Sequence, residues 1–119
     1  MMLRNFFFLC LIAASLSSCT TSVKSSVELQ QGKRSFENGY YKSAMRDLLP
    51  AAAGGNAEAQ YAVGYMYYYG YGVTQDTDVG HFWIKRAANQ HYMPAIKALE
   101  LINKNQVSVE QSNNLNVRK

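Results

Sequence analysis

The residues of this 119-residue chain that could carry chemistry are two histidines, two cysteines, eight carboxylates and nine tyrosines. His81 and His91 stand ten residues apart, with no thiol or paired carboxylate to complete a ligand set, so they do not read as a metal site. No Ser, His and Asp form a nucleophile motif. Gly70-Tyr71-Gly72 follows a helical pattern rather than a strand, the wrong context for a phosphate-binding loop. The carboxylates are spread singly, which gives paired acid–base work no basis. Tyrosine is what the chain concentrates: six of the nine lie in the stretch Tyr61–Tyr71. A tyrosine offers large contact area, few torsions to freeze and a hydroxyl, which suits recognition rather than turnover. The reading is therefore a non-enzymatic protein with no cofactor and no metal.

The elements that must position these rings are helices. In Ala57–Tyr69, Gln60, Val63, Gly64 and Tyr67 fall at i, i+3, i+4 and i+7, one packing face. Tyr61, Tyr65, Tyr68 and Tyr69, at i, i+4, i+7 and i+8, spread across the other side. Gly70-Tyr71-Gly72 breaks the helix, and Asp76 stands where a carboxylate caps the next one. Val79, Gly80, Trp83, Ile84, Ala87 and Ala88 mark the buried face of that second helix. Small residues on one helix opposite bulky ones on the other predict a tight antiparallel hairpin.

Ala57-x-Ala-Gln-Tyr-x-Val-Gly-x-Met-Tyr-Tyr-x-Gly-x-Gly-Val-x-x-Asp76, followed by Trp83 and Lys85-Arg86-Ala87-Ala88, resembles a Sel-one-like repeat. That family is a branch of the tetratricopeptide-like α-solenoids. The resemblance implies an all-α fold, a short solenoid of antiparallel helix hairpins with about two repeats and a capping helix. It also implies that Tyr61, Tyr65, Tyr68 and Tyr69 line a concave surface, with Lys33 and Phe36 contributed by the first helix and Lys97 and Lys104 by the last. Tyr61, common in the repeat, more often packs between neighbouring hairpins than on that surface. The implied partner is a protein or peptide segment, in an adaptor or scaffold role. A cell-wall or host-facing binding protein is the alternative, because sugars also stack on tyrosines. Two positions depart from the family pattern. Gly80 replaces the usual Ala, at a helix cost of roughly 1 kcal/mol, and His91 replaces the usual Gly that ends the second helix.

The remaining chain extends the same architecture. Leu29, Gly32 and Phe36 lie along one side of a helix that should stop near Asn38-Gly39, and Tyr41, Ala44, Met45, Leu48 and Ala51 follow at helical spacing up to Gly54-Gly55. Sliding the chain by about 36 residues lays Ala44 on Gly80, Leu48 on Ile84 and Gly55 on His91, an internal repeat. Pro50 should kink this helix without ending it. A fifth helix is predicted over Tyr92–Asn103, with Pro94 in its first turn and Met93, Ala95, Ile96, Leu99 and Ile102 as its stripe. The helical domain is thus expected over residues 27–104, with 105–119 left without structure because they are rich in Asn, Gln and Ser. The unpaired last helix covers the exposed end of the second hairpin, and it leaves self-association into a homo-oligomer open.

The first residues read as a targeting segment. Arg4 precedes the apolar run Phe6–Ala14, too short to span a bilayer and suited to a signal peptide over residues 1–18. Leu16-Ser17-Ser18-Cys19 resembles the lipobox of bacterial lipoproteins, which implies a diacylglyceryl group on Cys19 and attachment to a membrane. Residues 19–26 would then be a polar tether, and Thr20 after the Cys would favour the outer membrane of a bacterial envelope, facing the periplasm. The 101 residues from Cys19 onward would keep no free thiol. Their net charge of about +3 is too mild and scattered to argue for nucleic acid.

Overall fold

The computed structural model describes residues 19–116, with side chains from Ser26 to Gln111. The expected signal segment, residues 1–18, lies outside the described residues. Among the described residues five helices follow one another: α1 (Cys19–Glu37), α2 (Tyr41–Ala53), α3 (Ala57–Tyr69), α4 (Thr77–Ala88) and α5 (Met93–Asn116). Helices α1 and α2 form one antiparallel hairpin, α3 and α4 a second, and α5 packs on α4. Among the described residues there is no strand. Nor is any helix there long and apolar enough to cross a membrane. The chain is a short all-α solenoid.

Helix starts and stops obey local chemistry. Asn56 Oδ1 accepts from the Ala59 N–H at 2.8 Å and Asp76 Oδ1 from the Val79 N–H at 3.0 Å, so each helix of the second hairpin has a side-chain N-cap. At the end of α4 the N–H of His91 donates to the Ala88 carbonyl and that of Tyr92 to the Ala87 carbonyl. The same pair of bonds closes α2, from Gly55 to Ala52 and from Asn56 to Ala51. This is the Schellman arrangement, which needs a left-handed residue; Gly55 supplies it at φ +99° and His91 at φ +62°. The repeat therefore keeps its turn where it has lost its glycine.

The repeat offset is not uniform. A Cβ on Gly32 would lie 2.7 Å from Leu48 Cγ, and one on Gly64 would lie 2.7 Å from Ile84 Cγ1, so the two glycines occupy equivalent places. They are 32 residues apart, whereas Leu48 and Ile84 are 36 apart. The difference is the loop inside each hairpin, residues 38–40 in the first and 70–76 in the second. The single 36-residue slide thus holds for the second helix of each hairpin but not the first.

Two clusters make the core. Ala44, Met45, Leu48, Ala52, Ala59, Ala62, Val63 and Met66 join the first hairpin to α3, with Leu29, Phe36 and Trp83 packed against them. Ile84, Ala87, Ala95 and Ile102 join α4 to α5. Between α3 and α4 the backbones nearly touch: a Cβ on Gly64 would meet the Gly80 carbonyl oxygen at 2.8 Å, and one on Gly80 would meet Tyr68 N at 2.7 Å. Gly80 is thus the residue this close crossing demands. Gln60, 1% exposed, ties three segments together. Its Nε2 donates to the Ala52 carbonyl at 3.0 Å, and its Oε1 accepts from Gln90 Nε2 at 2.8 Å.

The structure corrects two segment assignments. Residues 19–26, read as an unpatterned tether, have helical backbone continuous with α1. Residues 105–116, read as lacking structure, continue α5. Neither stretch holds Gly or Pro, and once a neighbouring helix is nucleated each further residue adds a backbone bond at little cost. Side-chain polarity argued against burial there, not against helix. Met93, assigned to the apolar stripe of α5, is exposed, because it precedes the turn that reaches α4. Pro50 lies inside α2 without ending it.

Candidate partner-binding site

The tyrosines of α3 form one wall of a groove and α5 the other. Tyr61, Tyr65, Tyr68 and Tyr69 face Pro94, Lys97, Ala98, Leu101 and Asn105 across a cleft of about 440 Å³, floored by Ile84 and Ile102. That volume falls within the range of ligand-binding clefts, roughly 300–1,000 Å³. Tyr69 and Leu101 stand outermost, 51% and 63% exposed. α3 presents its rings here because its opposite face, carrying Val63 and Gly64, is committed to α2 and α4.

The rings also contact one another. Tyr65 lies 4.6 Å from Tyr69 and 5.9 Å from Tyr71, ring centre to ring centre, and meets Phe36 edge-on at 5.8 Å. Tyr71 stacks on Tyr41 at 4.8 Å and on Tyr69 at 5.7 Å. Tyr61 touches Tyr65 at 6.2 Å and Tyr92 at 5.7 Å. Offset and edge-on pairs of this kind add about 0.5–1.5 kcal/mol each beyond the area they bury. A continuous aromatic sheet therefore runs from α2 across α3 to the start of α5. Burial pushes the phenols of Tyr61, Tyr65 and Tyr92 above the usual tyrosine value. Neighbouring phenols add to this at Tyr61 and Tyr65, and the Glu58 carboxylate at Tyr92. All three stay neutral hydroxyls at ordinary pH.

Of the residues singled out in the sequence, Tyr61, Tyr65, Tyr68, Tyr69 and Lys97 come together around the groove. Phe36 and Lys33 do not line it. Phe36 packs between Tyr41, Tyr65 and the first core cluster. Lys33 Nζ pairs with Glu58 Oε1 at 2.8 Å, and that hydrogen bond raises its pKa. Lys104 lies further along α5, beside Glu100, Leu101 and Val107. Cys19 is the first residue of α1. Helical spacing could not reveal Tyr41, Tyr71 and Tyr92 as members of the aromatic sheet, because they sit at a helix start or in loops. Nor did it reveal the α5 wall of Leu101 and Asn105. The one available signal was Tyr71 itself, an aromatic held between two turn glycines. Among the described residues, no group of three or more His, Cys, Asp or Glu could hold a metal ion.

Residues 57–92 match the family model of the Sel1 repeat. The matched Sel1 segment comprises α3, the long loop, α4 and its Schellman turn, so it supplies the tyrosine wall but not α5. Among curated proteins, this chain is similar to chitin synthase regulatory factor 3 of Schizosaccharomyces pombe, 39% identical over 75 residues. The similarity covers 53% of this chain and 8% of that relative's length. No solved structure matches the chain.

Proposed function

We propose that this chain is a non-catalytic binding module which holds a protein or peptide segment in the groove between α3 and α5. The observation that carries this is the groove itself, four tyrosines facing Pro94, Ala98 and Leu101 over an apolar floor. Exposed aromatic area of this kind is what interface hot spots are made from. Two further facts support it: Sel1 repeats serve protein–protein interaction, and the similar Schizosaccharomyces pombe protein is named a regulatory factor. A photo-crosslinking residue at Tyr69, with Lys42 on α2 as control, tests it in cells. One discrete protein adduct at Tyr69 and none at Lys42 is the expected result. Equal smears from both positions, or none, would mean that the rings serve packing alone.

The proposal includes the setting. Cys19 carries a lipid after removal of residues 1–18, which places the module on a bacterial envelope membrane, in the outer membrane facing the periplasm. The tetrapeptide Leu16–Cys19 behind an apolar run supports this. Labelled palmitate should enter the full chain and be lost in Cys19→Ser; label retained by that variant sinks the anchoring. α1 would then rise from the membrane as a helix rather than a slack tether, since its backbone is helical from Cys19 onward.

A further inference from the structure

The groove's charge defines the kind of segment it takes. Of the eleven residues lining it, Lys97 is the one charged side chain, and no carboxylate is among them. The nearby cation on α1, Lys33, is already neutralised by Glu58 at 2.8 Å. The tyrosine wall contributes hydroxyl donors, and the floor of Ile84 and Ile102 is apolar. A basic segment would meet Lys97 with no carboxylate in the groove lining to answer it, and a neutral sugar chain would leave that cation unused. A carboxylate answers both Lys97 and the hydroxyls. Resting on the groove reading above, we propose that the occupant is an acidic peptide segment bearing a bulky apolar side chain, its carboxylate at Lys97 and its apolar group against Ile102 between Tyr65 and Leu101.

The Lys97 ammonium is at the rim and exposed, so it selects by long-range attraction more than by tight pairing. Rim charges of this sort act mainly on association rate and salt dependence. Two fluorescent ten-residue peptides provide the test, one alternating Glu with Leu and Phe, the other with Lys in place of every Glu. The acidic peptide should bind the full chain and the basic one should not. Lys97→Glu should weaken acidic-peptide binding by about tenfold at low salt, Lys97→Arg should preserve it, and added salt should erode the difference. Lys33→Gln, outside the groove, should change it little. Tyr69→Ser should weaken binding of the same peptide, which fixes the location.

Equal binding of both peptides, or binding of the basic one alone, overturns the charge assignment while leaving a groove that binds peptides. So does loss of affinity in Tyr69→Ser with none in Lys97→Glu. Binding of an N-acetylglucosamine oligomer but neither peptide overturns it in favour of a sugar. Failure of every probe also overturns it, and the Tyr69 adduct then decides separately whether the groove has a protein partner. Circular dichroism of each variant separates lost affinity from lost fold.

Discussion

Replacing Gly80 by Ala reverses the outcome expected from helix propensity. In an unconstrained helix interior the change gains about 1 kcal/mol, and Ala is the residue that the resemblance leads one to expect at this place. Here the added methyl would lie 2.7 Å from Tyr68 N and 2.8 Å from Tyr68 Cα and Cβ. Two of those atoms are backbone, so no rotamer change relieves the clash. The helices must separate, which disturbs Gly64 against Ile84 as well. Overpacking of a close core contact costs about 1–3 kcal/mol, and a contact with fixed backbone belongs in the upper half of that range. The net is a loss of about 1–2 kcal/mol. For a domain of this size that lowers Tm by roughly 5–15 °C. Gly54→Ala is the control: its φ is −72° and its new methyl would find its nearest neighbour at 3.4 Å, ordinary contact. That variant should hold or slightly raise Tm through the unfolded chain's lost freedom. Thermal unfolding followed at 222 nm reads both. A Gly80→Ala protein as stable as the parent would refute the close crossing of α3 and α4.

Other outcomes follow from the same geometry. His91→Gly should raise Tm by a few degrees, because a left-handed residue with a side chain costs about 1–2 kcal/mol and glycine returns part of that as entropy; His91→Val should lower it, and a reversed order would refute the turn. Gln60→Leu removes the donor to the Ala52 carbonyl and the acceptor of Gln90, and should cost about 1–3 kcal/mol in urea unfolding although it adds apolar volume. The phenols of Tyr61, Tyr65 and Tyr92 have folded pKa values raised above the unfolded value near 10. Unfolding therefore favours their ionisation: the stability is fully present below about pH 10 and is lost as pH rises from there through the folded values. Titration at 295 nm should show a late-ionising class that disappears in denaturant. A single class at the free-tyrosine value in both states would contradict the packed sheet of rings.

Much of the architecture was legible because it depends on local periodicity. The span of α3, the cap at Asp76, the stop at Gly70 and the pairing of Gly64 with the next helix all follow from spacing within a few residues. The polar stretches were not legible as helix. The outer parts of α1 and α5 carry polar side chains, and composition speaks to packing rather than to whether a backbone, once started, continues as helix. The site was half visible. Tyr61, Tyr65, Tyr68 and Tyr69 share one helix, so their common side could be counted. Tyr41, Tyr71 and Tyr92 reach them only through the path of the loops, which residue spacing does not encode. The pairing of Lys33 with Glu58 joins two helices and is likewise not encoded in spacing along one of them.

The aromatic sheet ties the module's capacity to change partners to its capacity to stay folded. Tyr61 and Tyr65 are at once the inner wall of the groove and the joint where hairpins meet, so selection on one duty acts on the other. Variation there is expensive. The facing wall is free of that bond: Lys97, Leu101 and Asn105 reach solvent from a helix whose grip on the body lies at Ala95 and Ile102. New specificities would therefore arise by drift along α5, with the tyrosines kept as an inherited constant.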